Sequence, residues 1–409
     1  MKYVIIGNSA AGVSAVEGIR SADAAGEIVV ISEERFPVYG RPLISYYLLG
    51  ATDRSRMNYR PEDFYEKMGV RLMLGERAER IDVSAKEVVL KSGVRVGYDK
   101  LLVATGSRPF DPPMEGLGEV KQKFHFMSMQ DALDLEKALS VRKRALIVGA
   151  GLIGLKCLEG ILGRVKSVTV VDMAGRILPS ILDDAGAAIV QRELEAKGVR
   201  FCLSDSVKKF EQGTAHLAGG GSIPFDLLVV AVGVRPNAEL VREAGGEVAR
   251  GIVTDDHLRT SLPDVFAAGD CTESDDVSSG TRKILALLPN ATQQGFAAGV
   301  NMAGGDSAFG SAIPLNAIGF FGSHVLTAGS YTGESYTEAE GDRYRRFFVQ
   351  DGVLKGFILV NAPERAGIYT SLVRNRTPLS GLDTARLEAA PVLAAFPASV
   401  REAMLSREV

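Results

Sequence analysis

The feature that most constrains this chain is an instruction written twice. Val4-Ile5-Ile6-Gly7-Asn8-Ser9-Ala10-Ala11-Gly12 and Leu146-Ile147-Val148-Gly149-Ala150-Gly151-Leu152-Ile153-Gly154 each run an apolar strand into a glycine turn and then into a helix. Such a turn points backbone N–H groups and the positive end of a helix at a pyrophosphate, and each copy serves one. Two copies therefore imply two dinucleotides. A lone G-x-G-x-x-G is weak evidence, and the first copy carries Ser9 where the second glycine is expected. A second repeat supports the pair: Tyr98-Asp99 through Gly106-Ser107-Arg108-Pro109 aligns without a gap on Phe225-Asp226 through Gly233-Val234-Arg235-Pro236. Each segment follows its own turn by roughly 85 to 100 residues, so a whole domain plan is duplicated.

Composition removes other chemistries. Cys157, Cys202 and Cys271 are scattered, with no C-x-x-C, and His125, His216, His257 and His324 are equally dispersed, so no zinc or iron-sulfur site is expected. Redox chemistry must come from a cofactor. A formal charge of -3 gives no general attraction to nucleic acid. No apolar run reaches the roughly 18 residues of a membrane span, and the apolar start breaks at Gly7. The expectation is a cytoplasmic protein that contacts neither membrane nor nucleic acid.

The periodicity predicts strands at Tyr3 to Ile6, Ile28 to Ile31, Arg71 to Leu74, Val88 to Leu90 and Leu101 to Ala104, with a helix from about Ala10 to Ser21. Pro109-Phe110-Asp111-Pro112-Pro113 reads as a hinge, and the second copy runs to about Arg235 before the chain returns near Asn237. Thr260 through Gly269-Asp270 reads as a turn and a buried strand ending at a ligand-binding sheet edge, followed by a helix from Ala291 to Met302. Beyond Ser311, Asp351-Gly352 between two apolar runs signals a hairpin. The fold class is α/β, with two Rossmann-like (three-layer) dinucleotide-binding domains and a small C-terminal α+β domain. The expected boundaries are 1–111 with 237–310, then 112–236, then 311–409.

The order of these motifs resembles the FAD-dependent pyridine nucleotide-disulfide oxidoreductase superfamily, and within it the ferredoxin, rubredoxin and nitrite reductase-like branch. The resemblance implies that Gly7, Ser9, Ala10, Ala11 and Gly12 cradle FAD, with Glu33 or Glu34 accepting from the adenosine ribose. It implies Arg41 and Pro42 beside the flavin, Ala78 at the adenine, and Ala104, Thr105 and Gly106 under the cofactor. Gly269 and Asp270 would meet the ribityl chain, and the helix near Asn290 would point at the flavin pyrimidine. Gly149, Gly151, Ile153, Gly154 and Gly233 would hold NAD(H). Asp172, about 20 residues past the second turn, would accept from a 2′-hydroxyl and disfavour NADP(H), with Arg176 a cation that softens the exclusion.

The segment Arg41 to Leu48 lacks the redox cysteine of the disulfide reductases, which leaves hydride transfer between nicotinamide C4 and flavin N5 followed by onward electron exchange. Related ferredoxin reductases tend to carry a lysine at the position of Tyr46 and a glutamate at that of Lys156. Tyr46 and Lys156 are therefore the expected catalytic positions, with Lys156 either raising the flavin potential or pointing to solvent. The implied activity is an FAD-dependent NAD(P)H:acceptor oxidoreductase serving a rubredoxin- or ferredoxin-type carrier or an iron-sulfur subunit of a larger complex. Arg343, Arg345, Arg346, Arg365, Arg374 and Arg376 form a candidate docking face. Alternatives are a flavin reductase for a small acceptor, nitrite-linked or quinone-like, and a low-turnover NADH-sensing flavoprotein. A homodimer and a place in a complex both stay open.

Overall fold

The computed structural model describes residues 1–383 and 393–405. Its contacts divide the chain into two units, one of Met1–Met173, Asp205–Asp275 and Arg282–Gly310, the other of Ala174–Ser204, Asp276–Thr281 and Ser311–Val409. Residues 384–392 and 406–409 of the expected C-terminal domain lie outside the described residues.

The first unit holds two parallel sheets built on one plan. In the first, the order is Val265–Ala267, Lys100–Val103, Lys2–Ile6, Glu27–Ser32, Val70–Leu74. In the second, Ser167–Asp172, Arg144–Val148, Leu227–Val230 and Lys123–Phe124 follow one another in parallel. The strand entering each glycine turn thus lies between the strand after its helix and the strand of the repeated Asp-to-Arg-Pro segment. Both faces of the first sheet are covered: Tyr3, Ile5, Val30 and Leu102 pack into one core cluster, and Val4, Ile6, Val29 and Val103 into another. That double burial is why these strands read as continuous apolar runs rather than as alternation.

The repeated aspartate sets the register. Asp99 N donates to Lys2 O at 2.8 Å while its carboxylate accepts from Lys2 N at 2.6 Å. Asp226 N donates to Arg144 O at 2.8 Å, and its carboxylate accepts from Arg144 N at 2.7 Å and from the guanidinium at 2.9 and 3.1 Å. The two Arg-Pro ends then meet, because Ser107–Pro109 pairs antiparallel with Val234–Pro236, Arg108 opposite Arg235. The chain leaves and re-enters side by side, latched where Thr105 Oγ1 donates to Asn237 O at 2.6 Å and Asn237 Nδ2 donates to Thr105 O at 2.9 Å.

The helix expected from Ala291 starts earlier, spanning Leu288–Met302, because Pro289 occupies a first-turn position where its missing N–H costs nothing. It lies on the first-turn helix Ala10–Ala22 closely enough that a Cβ at Gly295 would stand 2.1 Å from Ala11 O. In the second unit, an antiparallel sheet runs Leu315–Phe320, Ser323–Gly329, Val353–Val360, Arg343–Gln350, Glu334–Glu340. Its expected hairpin turns on Asp351 and Gly352, both at positive φ, 54° and 69°. The helix Ala366–Asn375 covers the sheet through Tyr369, Leu372 and Val373. These elements give the α/β class with two Rossmann-like layers and a C-terminal α+β part.

The Asp226 pin makes a pH prediction. Hydrogen bonds from Arg144 hold this carboxyl down, from 3.8 to about 2. A depressed acid contributes stability above its unfolded value and loses it as pH falls through its folded value. Asp226→Asn should therefore unfold at lower urea than the wild type at pH 7, and the gap should close as pH falls from 3.8 toward 2. A gap unchanged at the acid end would remove the carboxylate charge as its cause.

Candidate functional site

Both turns adopt the same strained backbone. Gly7 has φ 120° and Gly149 φ 113°. A Cβ at Gly7 would stand 2.0 Å from Ala104 O, and at Gly149 2.3 Å from Ala231 O. Ala104 and Ala231 are equivalent positions of the repeated segment, so the two sequence repeats touch within each copy. A Cβ at Gly12 or Gly154 would stand 2.0 Å from the oxygen of its own first glycine, which fixes each helix tightly on its strand.

Ser9 and Gly151 sit at the helix N-caps, and neither supplies a side-chain cap. The first N–H groups of both helices are therefore presented without a side-chain acceptor, and a Cβ at Gly151, Gly106 or Gly233 would meet no atom within 4 Å. Uncapped N-termini beside open backbone fit two pyrophosphates. Thr105, between Ala104 and Gly106, is committed to the Asn237 latch.

Arg41, in the turn Arg41–Leu43 with Pro42, gathers the first site. Its guanidinium forms an ion pair with Glu34, donates to Met127 O at 3.0 Å and reaches Ser9 Oγ at 3.4 Å. Tyr39 OH donates to Glu34 at 2.7 Å and accepts from Met129 N at 2.8 Å, and burial pushes its phenol up. The two acids left open by sequence now separate. Glu34 belongs to this cluster, whereas the side chain of Glu33 is 67% exposed and meets Arg77 at 3.2 Å. Burial pushes the Asp270 carboxyl up, and the nearby Arg41 charge pulls it back. Sequence reasoning missed Gln294, which is buried and accepts from Gly269 N at 2.6 Å, fixing the loop that carries Asp270. Asn290 is buried in the same helix, and Ala78 opens the strand Ala78–Asp82. A partly exposed cation and carboxylate around an uncapped helix fit the polar groups of FAD.

At the second turn, the Asp172 carboxylate accepts from Ala150 N at 2.6 Å, so it stands at the turn as the spacing predicts. Ile153 lies in the first turn of the helix Leu152–Ile161. Lys156, one turn further, does not point to solvent. Its ammonium lies 4.4 Å from the centre of the Tyr46 ring and forms an ion pair with Glu159.

The remaining reactive groups are held quiet. Burial pushes the Cys157 thiol up, and that of Cys271 to about 11. Asp255, Asp256 and His257 approach one another at the surface, but the His257 ring nitrogens already meet Asp256 at 2.6 Å and Asp306 at 2.7 Å. Of the six candidate docking arginines, Arg343 pairs with Glu364 at 2.9 Å, Arg345 with Glu338, and Arg346 with Asp183 at 2.9 Å. Arg365 occupies the N-cap position of the helix Ala366–Asn375 in the left-handed region, Arg374 is in its last turn, and Arg376 follows it. Among the described residues, no helix is long and apolar enough to cross a membrane.

Residues 1–295 match the family model described as pyridine nucleotide-disulphide oxidoreductase. The chain is 32% identical over 395 residues, 93% of each protein, to the epsilon subunit of the NADH-dependent phenylglyoxylate dehydrogenase of Aromatoleum evansii. It is 33% identical over 300 residues, 72% of this chain and 78% of the relative, to the rubredoxin-NAD(+) reductase of Pseudomonas putida. Among solved structures, an NAD-dependent persulfide reductase from A. fulgidus shares 27% identity with a TM-score of 0.86, covering 100% of this chain and 83% of that one. The chain belongs to the pyridine nucleotide-disulphide oxidoreductase family and is an oxidoreductase that uses FAD and NAD(P)H.

Proposed function

We propose that the first turn holds FAD, the second holds NADH, and the electrons are exchanged with an iron-sulfur protein or an iron-sulfur subunit of a larger complex. The observation that carries this reading is the pairing of two uncapped helix N-termini with different polar surroundings, the Arg41 and Asp270 cluster at one and Asp172 at the other. In domain terms, residues 1–111 with 237–310 bind FAD, 112–236 bind the nicotinamide dinucleotide, and 311–409 form the C-terminal domain. FAD, when bound, takes up an electron pair from a nicotinamide and releases electrons singly to a one-electron carrier.

The residues contribute binding and selectivity. Gly7 and Gly12 allow the backbone to lie against a pyrophosphate, and Arg41 supplies a positive charge already oriented by Glu34 and Met127 O. Glu33 and Glu34 stay the two candidate acids for the ribose, Glu34 engaged by Arg41 and Tyr39 and Glu33 exposed beside Arg77. Asp172 accepts from the 2′-hydroxyl of NADH and repels a 2′-phosphate; one such charge pair at ~4 Å costs about 4 kcal/mol at an effective dielectric of ~20. Arg176 donates to Leu182 O at 2.9 Å and to Asp184 at 3.0 Å. Lys156 stands on the helix that leaves the second turn, and Tyr46 on the helix Ile44–Leu49 that packs against it. The near-complete mutual coverage with a dehydrogenase subunit supports a place in a complex, and the rubredoxin reductase supports a small carrier. Three of the candidate docking arginines carry acidic partners, so a carrier would have to compete for them.

Anaerobic titration of the purified protein with NADH and NADPH, followed by stopped-flow mixing with rubredoxin or ferredoxin, tests this reading. Bleaching of a yellow protein by NADH and rapid re-oxidation by the carrier are expected; re-oxidation only by small acceptors would replace the partner assignment. Asp172→Ala should weaken NADH binding about tenfold or more, the loss of a charged hydrogen bond of ~1.5–3 kcal/mol, and narrow the preference over NADPH. An unchanged preference would remove its basis. Arg41→Met should release FAD at least tenfold more readily, read as recovered flavin fluorescence on dilution. Arg41→Lys should not restore binding, because an ammonium lacks the fork that meets Glu34 and Met127 O together.

A further inference from the structure

The second-turn helix carries a buried charge pair that the sequence reading did not contain. Lys156 and Glu159 are three residues apart on Leu152–Ile161, so their side chains share one face, and they form an ion pair with side-chain exposures of 16% and 5%. This helix packs on Ile44–Leu49, and Gly160 sets the distance: a Cβ there would meet Ser45 O and Leu48 Cβ, each at 3.0 Å. The close approach brings the Tyr46 ring over the Lys156 ammonium. Ile44–Leu49 continues directly from Arg41, whose guanidinium reaches Ser9 of the first turn. The pair therefore stands where the segment that begins at Arg41, which touches the first turn through Ser9, meets the helix leading from the second.

Stability does not account for it. Apolar residues of similar size in place of a buried ion pair are often neutral or stabilising, whereas removing one partner commonly costs several kcal/mol. What a buried pair does provide is two opposed charges in a low-dielectric setting, where each acts strongly on any neighbour whose charge changes. Reduction of bound FAD adds negative charge to the flavin. An ammonium beside it favours reduction and a carboxylate opposes it.

We propose that Glu159 is a positioning residue of the flavin site, which holds the Lys156 ammonium beneath Tyr46 and offsets its charge, so that the pair rather than the lysine sets the flavin potential. This rests on the assignment of FAD to the first turn. It also revises the expectation that Lys156 acts as a lone cation raising the potential.

The test is the midpoint potential of bound FAD, followed by absorbance in anaerobic titration of the purified holoprotein. Wild type, Glu159→Gln, Lys156→Met and the double variant are compared at one pH. Glu159→Gln should raise the potential and Lys156→Met should lower it, each by at least tenfold in the reduction equilibrium, ~30 mV for a two-electron couple. The double variant should return to within that interval of the wild type. Glu159→Asp, which keeps the charge, should lie nearer the wild type than Glu159→Gln. The proposal is overturned if either single variant retains FAD with an unchanged potential, or if both shift in the same direction. Should one single variant fail to fold, the other decides by its sign; should both fail, a double variant displaced by more than tenfold overturns it. A wild-type protein that binds no FAD would instead remove the FAD assignment itself.

Discussion

Everything in the first unit depends on backbone lying directly against backbone at two glycines. Gly7 faces Ala104 O and Gly149 faces Ala231 O at distances that a side chain would occupy. This contact brings the strand that enters each turn against the strand of its repeated segment at their carboxyl ends. It thereby fixes where each helix begins and leaves its first N–H groups uncapped. A methyl group at either glycine would push the strands apart at the point where the pyrophosphate is to be received. The duplicated sequence is a duplicated solution to this one steric problem.

Charge is then distributed on that frame in two manners. Asp99 and Asp226 pin strand register at the opposite, amino end of the sheets, each by a carboxylate accepting from the first residue of a turn strand. Arg41, Glu34, Asp270, Asp172, Lys156 and Glu159 instead gather around the turns and the helices that leave them. These charges are partly shielded from water, and named partners hold them: Arg41 by Glu34 and Met127 O, Asp172 by Ala150 N, Lys156 by Glu159. Preorganised charge of this kind acts on a bound cofactor without reorganising when the cofactor's own charge changes.

The second unit is organised by a different interaction. Asp183 caps the helix Asp184–Ala196 through Gly186 N and at the same time accepts from Tyr344 at 2.6 Å and Arg346 at 2.9 Å. An arginine that reads in sequence as part of a basic run is thus a structural tie between helix and sheet. Glu334–Glu340, at the edge of that sheet, is exposed throughout and carries three acids, Glu334, Glu338 and Glu340, which oppose pairing of the edge with another chain.

Legible in the chain alone were the two turns, a parallel sheet around each, the hairpin at Asp351-Gly352 and the place of Asp172, because each follows from constraints between near neighbours: positive φ, missing side chains, apolar runs and a fixed reach of about one strand and one helix; the strand order came from pairing between distant segments. It located Arg41, Glu34 and Lys156 as residues of interest but not their partners. Met127 is 86 positions from Arg41, and Tyr46 and Lys156 lie on helices that meet only through the close approach at Gly160. The different surroundings of Glu33 and Glu34, the burial of Lys156, its pairing with Glu159 and the acidic partners of Arg343, Arg345 and Arg346 therefore came only with the tertiary structure. A side chain's charge is written locally, but its solvation and its counter-ion are set by whichever distant segment packs against it.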